Sequence, residues 1–215
     1  MNVFQSIISQ TIASGVSEKT IILFLLLPLV ASLVATARHL IGFRGFGILI
    51  PTAIALAFFA MGIGTGILVF LAILLVASLA RGLLRKLRLH YLPRMALLLW
   101  FVSLAVLALI FVSPYFGLGQ LTAISIFPVL ILILSVEEFI AVQIGKSLRE
   151  ATRLTIETFV IALIGYAIFN LRPLQELALK QPQWVILIPL VINLLMGRFT
   201  GLRLLEYHRF RKLLR

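Results

Sequence analysis

The sequence predicts an all-α polytopic membrane protein of seven transmembrane helices, with the N-terminus outside and the C-terminus in the cytoplasm. Three observations carry that reading. Of 215 residues, 62% are hydrophobic and 12% charged, whereas a soluble domain devotes about a quarter of its residues to charge. Apolar runs recur along nearly the whole chain, most of them near the roughly 20 residues that a span requires. The basic residues gather after alternate runs rather than evenly.

The first element, residues 1–19, is extracytoplasmic and amphipathic. Val3, Phe4, Ile7, Ile8 and Ile12 fall on one helical face, which fits a helix lying along the outer surface. No basic stretch precedes it, so a cleaved leader is not expected. The membrane domain occupies residues 20–196. Run one is Thr20–Ala37, with Pro28 inside it. Run two, Gly47–Met61, contains Pro51 and is short, with Ile41–Phe46 available to lengthen it. Run three, Gly64–Ala80, follows after only Gly62 and Ile63. Run four is Met95–Val112, and run five is Leu121–Val136 with room to continue past Glu137 and Glu138 to Ile144. Run six is Leu154–Asn170. Run seven, Trp184–Met196, is again short and has the Arg198 region beyond it. Residues 197–215 form a basic cytoplasmic helix in which Phe199, Leu202, Leu205, Phe210 and Leu213 alternate with arginines. Anionic inner-leaflet lipid is its expected partner, contributing about 1 kcal/mol per nearby Lys or Arg.

Charge fixes the orientation. After run one come Arg38 and Arg44, and after run three Arg81, Arg85, Lys86, Arg88 and Arg94. After run five come Lys146, Arg149 and Arg153, and after run seven Arg198, Arg203, Arg209, Arg211, Lys212 and Arg215. The other side holds only Lys19, Arg172 and Lys180. The positive-inside rule puts the larger group in the cytoplasm. With the termini on opposite sides, the number of spans must be odd.

Composition also excludes chemistry. The net charge of +12 sits at span ends and reads as membrane anchoring, not as a nucleic-acid surface. There is no cysteine, hence no disulfide, thiol nucleophile or thiolate-ligated metal. His39, His90 and His208 stand far apart, and none has a second ligand at metal spacing. No nucleophile–base pair and no phosphate-cradling glycine loop occurs. The expectation is no catalytic residue, no metal, no cofactor and no enzyme activity.

Four constellations remain. Gly42-Phe43-Arg44-Gly45-Phe46-Gly47 followed by Pro51 argues against a straight helix at the start of run two. Broken helices of this kind expose helix ends to ions and substrates in transporters, and the plainer reading is a loop before a kinked helix. Glu137 and Glu138 are solvated if the helix stops at Val136 and costly if it continues. Arg44, Arg81, Arg94 and Arg198 lie on the same side and are candidate partners, in a structural ion pair or a proton relay. Glu157 follows Arg153 by four residues, and Arg153 follows Arg149 by four, which is helical salt-bridge spacing. Pro93-Arg94 marks a helix start with an interfacial anchor.

Several stretches resemble one bacterial family, the seven-helix membrane domain that usually follows an inactive transglutaminase-like domain. The resemblance begins at Gly45-Phe46-Gly47-Ile48-Leu49-Ile50-Pro51 and runs on to Phe58. It continues at Leu87-Arg88-Leu89 with Pro93-Arg94, then at Phe127-Pro128 with Glu137. It is closest at Gly197-Arg198-Phe199-Thr200-Gly201-Leu202-Arg203-Leu204-Leu205-Glu206, followed by Arg209-Phe210-Arg211. Two departures stand out. About 19 residues precede run one where the family carries a large outer domain, and Glu138 stands where its pattern has a basic residue. The resemblance implies a non-catalytic scaffold or conduit accompanying an ATP-grasp ligase of the glutamate-ligase type. Run two is also similar to segments of the small membrane subunit of poly-γ-glutamate synthesis systems, which implies an exporter instead. The binding or pairing candidates from both lines are Arg44, Gly45, Gly47, Pro51, Arg94, Pro128, Glu137, Arg198, Arg203 and Glu206.

Overall fold

The structure, a computed structural model, describes residues 3–43, 45–87, 89–116, 126–145 and 147–198. Among the described residues every regular element is helical. The seven apolar runs each fold as a helix. They are α2 (Glu18–Thr36), α3 (Leu49–Met61), α4 (Ile63–Leu84), α5 (Tyr91–Val112), α6 (Ile126–Gly145), α7 (Leu148–Asn170) and α9 (Pro182–Gly197). Two amphipathic helices join them, α1 (Val3–Ala13) and α8 (Arg172–Lys180). Helices α2, α4, α5, α6 and α7 have the length and hydropathy to cross a membrane, and the bent pair α8–α9 adds a sixth candidate. Helix α3, with 13 residues, is a shorter apolar helix.

Helix α4 shows why lipid is the surrounding solvent. Val69, Phe70, Ile73, Ala77, Ala80 and Leu84 are buried on one face, while Leu71, Leu75, Leu79 and Leu83 form an exposed stripe four residues apart. In water that stripe would be polar. Leucine on both faces is what a helix between protein and hydrocarbon requires. Tyr91, Tyr115 and Trp184 are exposed at or near helix ends, where their amphipathic rings suit the headgroup layer.

The chain divides into two compact units. Unit 1 is Met1–Ala55 with Glu157–Arg215, and unit 2 is Leu56–Ile156. In unit 1, α2 packs along α9, and α8 packs on both. Helices α2 and α9 run parallel: Ser32 meets Pro189 and Asn193, while Ala35–His39 border Asn193–Gly197. Ser32 Oγ donates to Pro28 O (2.8 Å) and accepts from Asn193 Nδ2 (2.7 Å). This polar bridge lies where Pro28 and Pro189 interrupt the two backbones. Prolines inside membrane helices are tolerated because neighbouring polar groups re-satisfy the freed backbone. Gly165 of α7 lets that helix approach closely. A Cβ there would stand 2.9 Å from both Ala55 Cβ and Val30 Cγ1.

In unit 2, α4 packs on α5 and on α6. Ile73, Leu84, Leu98, Leu132 and Ile140 of these elements are fully buried, as is Phe58 of α3. Phe58 meets Phe70 edge-on, with ring centroids 6.0 Å apart, an arrangement the ring quadrupoles favour.

Several boundaries differ from the sequence reading. Ile41–Phe46 does not lengthen α3, because the chain leaves α2 through a π-helical turn, Ala37–Ile41, closed by Gly42 at φ +96°. Helix α9 does not extend past Gly197. Helix α6 does continue through Glu137 and Glu138, ending at Gly145. The stretch between runs six and seven, for which the sequence reading named no element, forms α8, bent by 106° from α9. Alternation of Leu174, Leu177 and Ala178 with Arg172, Gln175 and Glu176 gives α8 its two faces. Gln5 Nε2 donates to Lys180 O (2.6 Å), which sets α1 against the end of α8.

Candidate functional site

The two units each build a distinct polar site. That of unit 2 lies where α4 ends, α5 begins and α6 passes into α7. Arg81, Arg85 and Arg94 line one cavity of ≈ 330 Å³ together with Gln143, Ile144 and Ser147. Each side chain is placed by local structure. Arg81 is in the last turn of α4, where a cation complements the helix dipole. Arg94 is held one turn into α5 by Pro93, in the first helical turn where its missing N–H costs nothing. Ser147 caps α7, its Oγ accepting from the Glu150 N–H at 3.1 Å.

The hydrogen bonds of this site go to backbone rather than to acids. Arg81 Nη2 donates to Gln143 O (2.7 Å), and Arg94 Nη2 donates to Leu89 O (3.0 Å). Arg94 Nε and Gln143 Oε1 are buried with no partner among the described residues. Among the described residues no carboxylate lines the cavity. A guanidinium offers five donors, so these arginines retain unused donors facing a shared space.

In unit 1 the broken segment before α3 is the corresponding feature. The Phe46 N–H donates to Thr158 Oγ1 (2.8 Å), and Thr158 is buried. Gly45 makes this approach possible: a Cβ would stand 2.8 Å from Thr158 Oγ1 and 3.4 Å from the Thr158 backbone. Gly47 holds φ +34°, in the region that favours glycine. Pro51 is buried in the first turn of α3. Beside this segment lies a cavity of ≈ 780 Å³ lined by Ala35, Arg38, His39, Phe43, Ile48, Asn193, Met196 and Gly197. A second cavity, of ≈ 520 Å³, is walled mainly by apolar chains of α2 and α9 with Ile168 and Leu174, and shares Met196 with the first.

The sequence candidates are thus distributed rather than gathered. Gly45, Gly47 and Pro51 shape the broken segment, and Arg94 joins the arginine cavity. Pro128 is buried in α6 and takes part in packing. Glu137 and Glu138 are exposed, on the face of α6 opposite Val136, Phe139 and Ile140. Of the four partners foreseen for them, Arg81 donates instead to Gln143 O and Arg94 to Leu89 O. Arg153 and Glu157 each have an interaction partner. Arg198 caps α9 and is exposed. Arg44, Arg203 and Glu206 lie outside the described residues, as does His208.

The sequence places Arg81, Arg85 and Arg94 in one basic stretch but does not show that Gln143 and Ser147 join them. Helix-end positions 81, 85 and 94 were legible as basic. Their convergence with the α6–α7 corner is tertiary, and no spacing encodes it. No curated protein and no solved structure matches the chain. A family model does match, over residues 6–214, nearly the full length of the helical assembly just described. The chain belongs to the family of seven-transmembrane-helix domains usually fused to an inactive transglutaminase.

Proposed function

We propose that this chain is a non-enzymatic scaffold of the cell's inner membrane that docks a soluble partner at the basic end of unit 2. The partner class is an ATP-grasp enzyme of the glutamate-ligase type, acting in peptide or glutamyl modification. The observation that carries the reading is the gathering of Arg81, Arg85 and Arg94 around one cavity, with exposed Lys86 beside them. Exposed cations of one sign steer acidic partners and set encounter rates. The positive-inside rule assigns this end to the cytoplasm, where such an enzyme would meet it.

The seven-span count has topological support as well. Helices α2 and α9 run parallel within unit 1. Five apolar helices separate them in sequence, and parallel spans require an odd number of crossings between them. Counting α3 as a crossing satisfies that condition; omitting it leaves four and would make α9 antiparallel to α2. The contact of α1 with α8 also fits two helices on one outer surface.

The test is co-purification from solubilised membranes, comparing the wild type with Arg85→Glu combined with Lys86→Glu. Loss of a stoichiometric ligase from the variant, with insertion unchanged, is the expected result. Equal capture by both chains sinks the docking face.

A second reading, a small-molecule or polyglutamate-type exporter, is favoured by the broken segment and its ≈ 780 Å³ cavity in unit 1. Arg38 would then meet the anionic cargo. Arg38→Gln should abolish flux in reconstituted vesicles while leaving the protein inserted, and undiminished flux removes this reading.

A further inference from the structure

We propose that the arginine cavity of unit 2, at the centre of the basic end proposed to dock a protein, is itself a binding site for a phosphate-type oxyanion. Three guanidinium groups share a cavity of ≈ 330 Å³, and none of the described residues lining it is acidic. Like charges confined this way repel one another. A central anion adds three attractions at shorter distance, which outweigh the repulsions.

The donors are already oriented. Arg81 is fixed through Nη2 to Gln143 O, and Arg94 through Nη2 to Leu89 O, which leaves the rest of each planar fork for a ligand. Arg94 Nε is buried without a partner. Gln143 is 2% exposed, lines the cavity, and has its Oε1 unpartnered. Ser147 stands on the rim as the cap of α7, so the positive end of a 23-residue helix adds to the same field.

Charge selects the ligand class. A single carboxylate carries one negative charge and fills one guanidinium fork. A phosphate monoester carries about −1.5 to −2 at neutral pH and three acceptor oxygens, which suits three arginines better. The chemistry is shared by a phosphomonoester lipid headgroup and by free phosphate.

The experiment uses the full chain, purified in detergent and separately in nanodiscs. In detergent, the midpoint of thermal unfolding is followed as inorganic phosphate replaces chloride at constant ionic strength. In nanodiscs, phosphatidylcholine alone is compared with phosphatidylcholine containing phosphatidic acid. The expected result is a rise in midpoint of several degrees with at least one of the two. Arg85→Gln, an exposed position, should weaken the half-maximal concentration roughly tenfold or more. Arg94→Lys keeps the charge but loses the fork and should weaken it too. Response to phosphatidic acid alone assigns the lipid source, and response to free phosphate assigns the soluble one. No phosphate-specific rise in either arm, or an unchanged response in both variants, overturns the proposal. Capture of the protein partner reads a different property: a chain that docks its ligase but ignores both phosphate probes sinks this inference and leaves the docking face standing.

Discussion

Gly45 and Thr158 show how much structure one missing methyl group can hold. The Phe46 N–H has left every helix, and within a membrane domain such a donor must find a partner inside the protein. Thr158 Oγ1 supplies it at 2.8 Å, and a Cβ on Gly45 would stand 2.8 Å from the same oxygen. Gly45→Ala forces a Cβ against that oxygen and should destabilise the fold by about 1–3 kcal/mol. Thr158→Val orphans the buried N–H at a similar cost, about 1–3 kcal/mol, whereas Thr158→Ser keeps the acceptor. Thermal unfolding in detergent checks all three: the Ser variant should stay near the wild type, and the Ala and Val variants should melt earlier. The glycines at 42, 45 and 47 announced a broken helix in the sequence. Their partner did not, because Thr158 lies 112 residues away in an unremarkable stretch of run six.

Helices were read from the sequence more reliably than the joints between them. Each apolar run became a helix, because backbone satisfaction in hydrocarbon leaves few alternatives. The failures came where two periods compete. Residues 172–180 are too polar for a span and too short to stand out against the neighbouring runs, yet they fold as α8 because Leu174, Leu177 and Ala178 recur on one face. The reach of α6 past Glu137 was equally open, since exposed glutamates are compatible with either ending. The seam between α2 and α9 carries its own expectation. Interhelical hydrogen bonds in membranes contribute on average about 0.6 kcal/mol and at most about 1.7. Asn193→Leu should therefore lower the unfolding midpoint only slightly, while Gly165→Val, which wedges a side chain against Val30 and Ala55, should lower it much more. A reversed order would mean that polar bonding, not close packing, holds unit 1 together.

At the scale of the molecule, topology is the property most open to direct measurement, because the chain contains no cysteine. Single cysteines can be introduced against a silent background. Lys180→Cys, at the end of α8, should react with an impermeant maleimide in intact cells. Lys86→Cys should react only after permeabilisation. The opposite pattern inverts the protein, and labelling of both from one side removes a crossing between them. Reaction of Lys86→Cys in intact cells would also take the docking face and the arginine cavity away from the cytoplasm.

The brevity of α3 bears on the bilayer itself. Thirteen residues rise about 20 Å, and the 16 of α9 about 24 Å, against roughly 30 Å of hydrocarbon. Mismatch of that size is met by local thinning of the bilayer or by oligomerisation, at fractions of a kcal/mol per Å. Helix α3 meets the mismatch largely inside the protein, with Ile54, Ala55, Ala57 and Phe58 buried, so thinning of the lipid is expected chiefly beside the exposed Leu190, Leu194 and Leu195 of α9. A thick, sterol-like membrane opposes that deformation. The protein should accordingly partition into thinner bilayers and function best in short-chain lipid, so that acyl length becomes a control on its activity that no ligand supplies.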